Sequence, residues 1–207
     1  MRAKVLKWSS SVLIIVGFIG FISAFPLSTG AGNITNELPW GHVSNIVADE
    51  EGNTYLGLQF YHRIQSYDKE GNFRKQWHIG CGSSGSFYIQ INSKQQIVVA
   101  TAKGKCLIIF DHDGNTLLSE SDSIDFENYR PSKLFSYRTN DGTVYSLKNR
   151  LFIPKITKTD TAKHESVITQ MPWYMMFIQG PLPAWLFFFL GMLIKVEPWK
   201  KRSRDIT

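Results

Sequence analysis

One interval recurs along the middle of this 207-residue chain and restricts its fold more than any other feature. Glu51-Gly52-Asn53, Lys69-Glu70-Gly71-Asn72 and Asp111-His112-Asp113-Gly114-Asn115 are turn formers, with Gly placed for a left-handed backbone. Short runs with strand character surround them: Ser44–Asp49, Thr54–Leu58, Arg63–Tyr67 and Phe73–His78, then Phe87–Ile91, Ile97–Thr101 and Cys106–Phe110. Asp49 and Asp68 stand 19 residues apart, as do Asn92 and Asp111, so the second unit follows the first at an offset of 43. A more worn third unit comprises Lys133–Arg138, Asn140-Asp141-Gly142-Thr143 and Val144–Leu147. Gly142 lies 90 residues after Gly52, and the acidic insertion at 120–130 accounts for the excess over two periods.

A period of about 40–47 residues with four short strands per unit describes propeller blades. The stretch His62-Arg-Ile-Gln-Ser-Tyr-Asp-Lys-Glu-Gly-Asn-Phe-Arg-Lys-Gln-Trp77 resembles an NHL-type propeller repeat, in which R-I-x-x-[FY]-D-x-x-G-x-F forms the third and fourth strands of a blade. Val47–Tyr55 looks like the first two strands of the same unit. Unit two keeps Ile109-Phe110-Asp111-His112-Asp113-Gly114-Asn115 without the Arg, and unit three keeps little beyond Asp141-Gly142-Thr143-Val144-Tyr145. The resemblance covers residues 43–157 and implies architecture rather than activity. Propellers usually close with about four to eight blades, so three units leave strand edges and apolar faces open. Self-association, a covering protein partner, or collapse into a sandwich-like meander would each resolve this. The expected fold is mainly β, an incomplete propeller-like repeat domain of about three blades, with Ser166–Gln170 as a closing strand.

Charge is distributed unevenly. Arg2, Lys4 and Lys7 precede one apolar stretch, and Lys195, Lys200, Lys201, Arg202 and Arg204, with Glu197 and Asp205 among them, close another. The segment between is neutral, with 15 Lys+Arg against 15 Asp+Glu, so the whole net charge of +6 lies at the ends. Basic outer flanks predict two transmembrane helices with both termini in the cytoplasm and the middle outside the cell membrane. The expected organisation is a basic tail at 1–7, a span at 8–27, a linker at 28–42, an extracytoplasmic β domain at 43–171, a span at 173–195 and a basic tail at 196–207. Residues 9–27 carry no charge and suit one hydrocarbon core. A cleaved secretory signal is the competing reading, with Ile22-Ser23-Ala24 as the cleavage tripeptide; either way the next segment is exported. Trp8, Trp173, Tyr174 and Trp199 fall where aromatic rings anchor at headgroup level. Pro181 and Pro183 predict a kink, or an interfacial start with the helix proper beginning near Pro183. A neutral folded surface argues against a nucleic-acid partner despite the pI near 9.3.

Little in the chain resembles catalytic machinery. Gly80-Cys81-Gly82-Ser83-Ser84-Gly85 matches a dinucleotide fingerprint by letter, but an alternating strand follows where a helix is required. Asp111-His112-Asp113 reads as a hairpin turn, and Glu120, Asp122, Asp125, Glu127 and Asn128 as a solvated acidic loop. No nucleophile elbow is present, so no catalytic, cofactor or metal residues are assigned. Cys81 and Cys106 are candidates for a disulfide, worth about 3 kcal/mol in the chain-entropy model. Phe60 and Tyr61, in a loop, are candidates for partner binding. The expected function is a membrane-anchored, non-enzymatic binding or scaffolding module that recognises a protein partner or itself. The alternatives are an extracytoplasmic metal-dependent hydrolase or lactonase, and a small accessory or sensor subunit of a membrane complex.

Overall fold

The computed structural model describes residues 2–28, 35–40, 42–81, 85–122, 124–149, 153–178 and 181–204. Helix α1 (Arg2–Ser28) leads into twelve strands: β1 (Val43–Ala48), β2 (Thr54–Leu58), β3 (Arg63–Tyr67), β4 (Phe73–His78), β5 (Phe87–Ile91), β6 (Ile97–Thr101), β7 (Leu107–Phe110), β8 (Thr116–Glu120), β9 (Ser136–Arg138), β10 (Val144–Lys148), β11 (Lys155–Thr159) and β12 (Glu165–Gln170). Helices α2 (Trp173–Ile178) and α3 (Pro181–Arg204) complete the chain. The strands form three four-stranded antiparallel meanders, β1–β4, β5–β8 and β9–β12. These are blades one, two and three of a propeller-like domain.

Blades one and two share turns of one chemistry. In blade one, the Asp68 carboxylate accepts from the Asn72 backbone N–H (2.8 Å) and from the Asn72 amide (3.0 Å), while Gly71 N–H reaches the Asp68 carbonyl. Asp49 with Asn53 and Asp111 with Asn115 repeat this double pinch. Gly71 adopts φ +88°, and a Cβ there would sit 2.3 Å from the Ile168 carbonyl oxygen of blade three, so both conformation and space demand glycine. The side-chain and backbone bonds from Asn72 hold the Asp68 carboxyl below its usual range, and those from Asn115 do the same for Asp111.

Blade one lies between the other two. Every residue of β1, β2 and β3 is buried, so both faces of the sheet are covered. Ile46, Leu56, Leu58 and Tyr67 turn toward blade three, where Tyr145, Leu147 and Ile156 meet them. Val47, Tyr55 and Ile64 turn toward blade two and its Phe87, Ile89, Ile97, Val99 and Ile108. Each fully buried aliphatic side chain contributes about 1.5–3 kcal/mol of transfer free energy. Backbone and amide bonds fix the inner strands together. Asn45 donates to the Ile89 carbonyl (2.7 Å) and accepts from Ile89 N–H (3.0 Å), and Ile46 N–H donates to the Leu134 carbonyl (3.0 Å). Cys81 and Cys106 are joined as a disulfide, with Cα atoms 6.5 Å apart, tying the exit of blade one to blade two.

Blade three does not continue the row beyond blade two. It packs on the opposite side of blade one, through β9 and β10 against β1, and no strand of blade two packs extensively on a strand of blade three among the described residues. The connecting segment folds back over blade two instead. Its 3-10 turn, Phe126–Tyr129, stacks the Phe126 ring on Tyr88 (centroids 4.9 Å apart), and the Tyr129 carbonyl accepts from the Gln90 amide (2.8 Å). The expected acidic loop is therefore part of the end of β8 and part of this turn.

Helices α1 and α3 pack as an antiparallel pair through small residues. A Cβ on Gly17 would lie 2.6 Å from the Phe188 nitrogen, and one on Gly191 would lie 2.9 Å from the Ser10 carbonyl oxygen. Ser10, Gly17, Ala184 and Gly191 are all buried in this seam. Large apolar side chains point away from it: Trp8 is 76% exposed, Leu186 70% and Leu193 66%. Among the described residues no helix is long and apolar enough to cross a membrane. The side chains at 1–7, 21, 23–28, 176–183 and 196–204 lie outside the described residues, so both expected spans fall only partly within them, as do the topology signals Arg2, Lys4, Lys7, Lys200, Lys201, Arg202 and Arg204 and the anchor Trp199. Within 173–195, where the prolines predict a kink or a helix proper starting near Pro183, the described residues form two helices. A six-residue α2 ends before 179, and Pro181 opens α3, where the missing N–H costs nothing.

Candidate functional site

The inner strands β1, β5 and β9 converge on a half-open cleft of about 480 Å³. Its floor is Ile46 and Val47 of β1, and one wall is Ile89, Gln90 and Ile91 of β5. The other wall is Ser136, Tyr137 and Arg138 of β9 with Val144 of β10, and Pro131, Ser132 and Lys133 close one side. Antiparallel pairing sets Ser136 opposite Ser146 and Arg138 opposite Val144. The period-2 rule therefore puts Ser136 and Arg138 on the face of blade three that turns away from blade one. Gln90 lies on the corresponding free face of blade two, in register with Val98. The cleft is thus the inner end of the gap that separates blades two and three.

The electrostatics of the cleft are positive at its lip. Lys133 and Arg138 are exposed and have no carboxylate within ion-pair distance among the described residues. The Tyr137 hydroxyl is pushed above its usual pKa, first by burial and then by the charges of Glu50 and Asp49. Those two carboxylates are engaged elsewhere. Glu50 accepts from the Asn140 amide (2.7 Å), and Asp49 accepts from Asn53 and from the Tyr55 hydroxyl (2.9 Å).

A second polar group joins blades one and two at their turn edge. The Tyr55 hydroxyl lies 2.9 Å from His112 Nδ1, and Asp49 lies 3.5 Å from the same nitrogen. Burial and Asp49 push the Tyr55 hydroxyl far above its usual range. Lys75 pairs with Asp113 beside this group. The arrangement bridges two blades and resembles no metal shell. Among the described residues no cluster of three or more His, Cys, Asp or Glu side chains is placed to hold a metal ion.

The residues singled out from the sequence are dispersed. Tyr61 is 0% exposed and packs in the core between blades one and three, so it offers no surface to a partner. Phe60 stands edge-on to Tyr61 (centroids 5.0 Å apart) and packs against the same core. A loop position does not imply exposure when the loop folds back over a sheet end. His62 and His78, distant in sequence, come within 5.5 Å ring to ring; His62 Nε2 bonds the Cys81 carbonyl (2.6 Å), and burial lowers the pKa of both rings. Gly82, Ser83 and Ser84 of the glycine-rich stretch lie outside the described residues, and the strand after it is β5. The cleft cations Lys133 and Arg138 carry no pattern in the sequence, since they bracket a three-residue strand whose pairing is set by β10.

No known protein family matches the chain by sequence, and no curated protein matches it. Among solved structures, the chain is similar to a streptogramin B lyase (11% identity, TM-score 0.37), covering 64% of this chain and 42% of that one. It is also similar to virginiamycin B lyase from Staphylococcus aureus (15% identity, TM-score 0.36, 64% and 42% covered) and to a protein of unknown function from Bacteroides caccae (11% identity, TM-score 0.32, 63% and 45% covered). The chain spans less than half the length of each of these structures. The propeller-like reading of the chain rests on its own three sheets.

Proposed function

We propose that this protein is a membrane-anchored, extracytoplasmic binding module whose β domain recognises a protein partner, and that it works without catalysis. The α1–α3 pair is the observation that carries the reading. Small residues at the seam bring two backbones together, and bulky apolar side chains face outward in every direction, which is costly in water and suited to lipid. Residues 8–27 and 173–195 are the proposed spans, the second made of α2 and the apolar first part of α3; the basic residues outside them set both termini in the cytoplasm. Trp173 and Tyr174, exposed where the β domain meets the helices, take the headgroup level. The similarity of blade one to NHL-type repeats belongs to the same proposal.

The unclosed ring supports the partner. Blade two leaves an apolar row, Val98, Ile109 and Leu118, on its outward face, and a protein that covered it would complete what a further blade completes elsewhere. Two experiments test the reading. Protease-accessible tags at each terminus in intact cells should resist digestion while one inserted at Asn140 is cut; digestion of the terminal tags removes the topology. Photo-crosslinkers at Leu118 in living cells should give one discrete adduct, and a smear or no adduct removes the partner.

A further inference from the structure

We infer that the cleft between the outward faces of blades two and three binds a small organic anion. Charge is the first support. Lys133 before β9 and Arg138 at its end converge on one concavity without a carboxylate partner among the described residues, and concave walls focus such a field. Asp49 and Glu50 keep their negative charges, which reach Tyr137, but their oxygens are bonded to Asn53, Tyr55 and Asn140 and neither forms an ion pair with Lys133 or Arg138 among the described residues. Arg138 brings a planar fork that matches carboxylate or phosphate, and Lys133 a point charge.

Shape and lining narrow the ligand. A volume of about 480 Å³ suits a small molecule and excludes a folded partner. Ser136, which accepts from the Ser146 hydroxyl, keeps its own O–H to donate on the same face as Arg138, whereas the Gln90 amide is occupied by the Tyr129 carbonyl. Ile91, Pro131 and Val144, partly exposed along the cleft walls, add apolar surface that favours a ring or aliphatic body over a bare inorganic ion. The site is therefore built for an anionic head and an apolar body. It lies in the β domain and stands whether or not the helices cross a bilayer.

Titration calorimetry of the full chain in an uncharged detergent at low salt tests this, with phenyl phosphate, benzoate and benzyl alcohol as probes. At least one of the two anions should saturate at one per chain, and benzyl alcohol should not. Lys133→Gln and Arg138→Gln should each weaken that binding at least about tenfold, Arg138→Lys by less, and Lys69→Gln not at all. All three side chains are exposed, and unchanged melting of the variants shows that they fold. Failure of both anions to saturate, equal binding of benzyl alcohol, or an equal effect of Lys69→Gln would overturn the inference.

Discussion

Blade one is covered on both faces, whereas blades two and three each keep one face outward, and their sequences differ accordingly. In β1–β3 polar residues occupy positions as buried as their apolar neighbours: Asn45, Gln65 and Ser66 lie among Ile46, Leu56 and Ile64. They are tolerated because they are bonded. Gln65 holds both the N–H and the carbonyl of Leu38, and Asn45 holds both backbone groups of Ile89. Blade two instead alternates, with Phe87 and Ile89 inward and Tyr88 and Gln90 outward. The outward faces also differ from each other. Blade two shows Val98, Ile109 and Leu118; blade three shows Ser136, Ser146 and, at its edge, Val167, with the Lys148–Glu165 ion pair (2.6 Å) beside them.

The contrast between inner and outer blades is open to direct attack. Phe87→Ala removes a ring buried between blades one and two and should cost about 3–5 kcal/mol, with Leu56→Ala close behind at about 2–5, by denaturant unfolding of the full chain in detergent. Should Leu56→Ala cost no more than Leu118→Ala, blade one is not the central blade. Asn45→Ala should come next, at about 1–3 kcal/mol for each Ile89 group left unpaired. A pH series sharpens the comparison at the blade junction. Burial lowers the pKa of His62 and His78, so the unfolded chain binds more protons near pH 6; the stability they contribute is complete above the unfolded value of 6.5 and declines as pH falls through their folded values. His62→Gln should flatten that part of the curve. The turn carboxylates act lower: Asp68 and Asp111 are depressed, so their contribution is present above 3.8 and is lost as pH drops further. Leu118→Ala should be the smallest effect, within about 0.5 kcal/mol, because its side chain is already 40% exposed.

Much of the architecture was legible because turns are written locally. The Asp-to-Asn pinch needs only five consecutive residues, and Asp68–Asn72 and Asp111–Asn115 carry the same geometry that their spelling suggests. Strands β2 to β6 fall where alternation and turn residues place them. Blade three was harder. Its β10–β11 connection and the strand Lys155–Thr159 have no repeat spelling, and Lys163 rather than glycine takes the left-handed place in its last turn (φ 65°). Strand β8 was hidden as well, since Thr116–Glu120 is exposed along its length and has no apolar rhythm to announce it. The cleft was not legible at all. Its walls come from residues about 45 and 90 positions apart, brought together by the return of blade three to the far side of blade one, which no local pattern encodes.

The β domain begins and finishes at one spot. Trp40 N–H donates to the Met171 sulfur (2.9 Å), Trp40 also bonds Tyr67, and Met171 N–H is held by the Pro154 carbonyl. Upstream of Trp40, Asn36, Glu37 and Leu38 are bonded to Gln76, Tyr67 and Gln65, so the N-terminal approach is fastened to β3 and β4 as well, while the C-terminal exit depends on Met171 directly after β12. Oxidation of the fully buried Met171 thioether would loosen both ends of the domain at once.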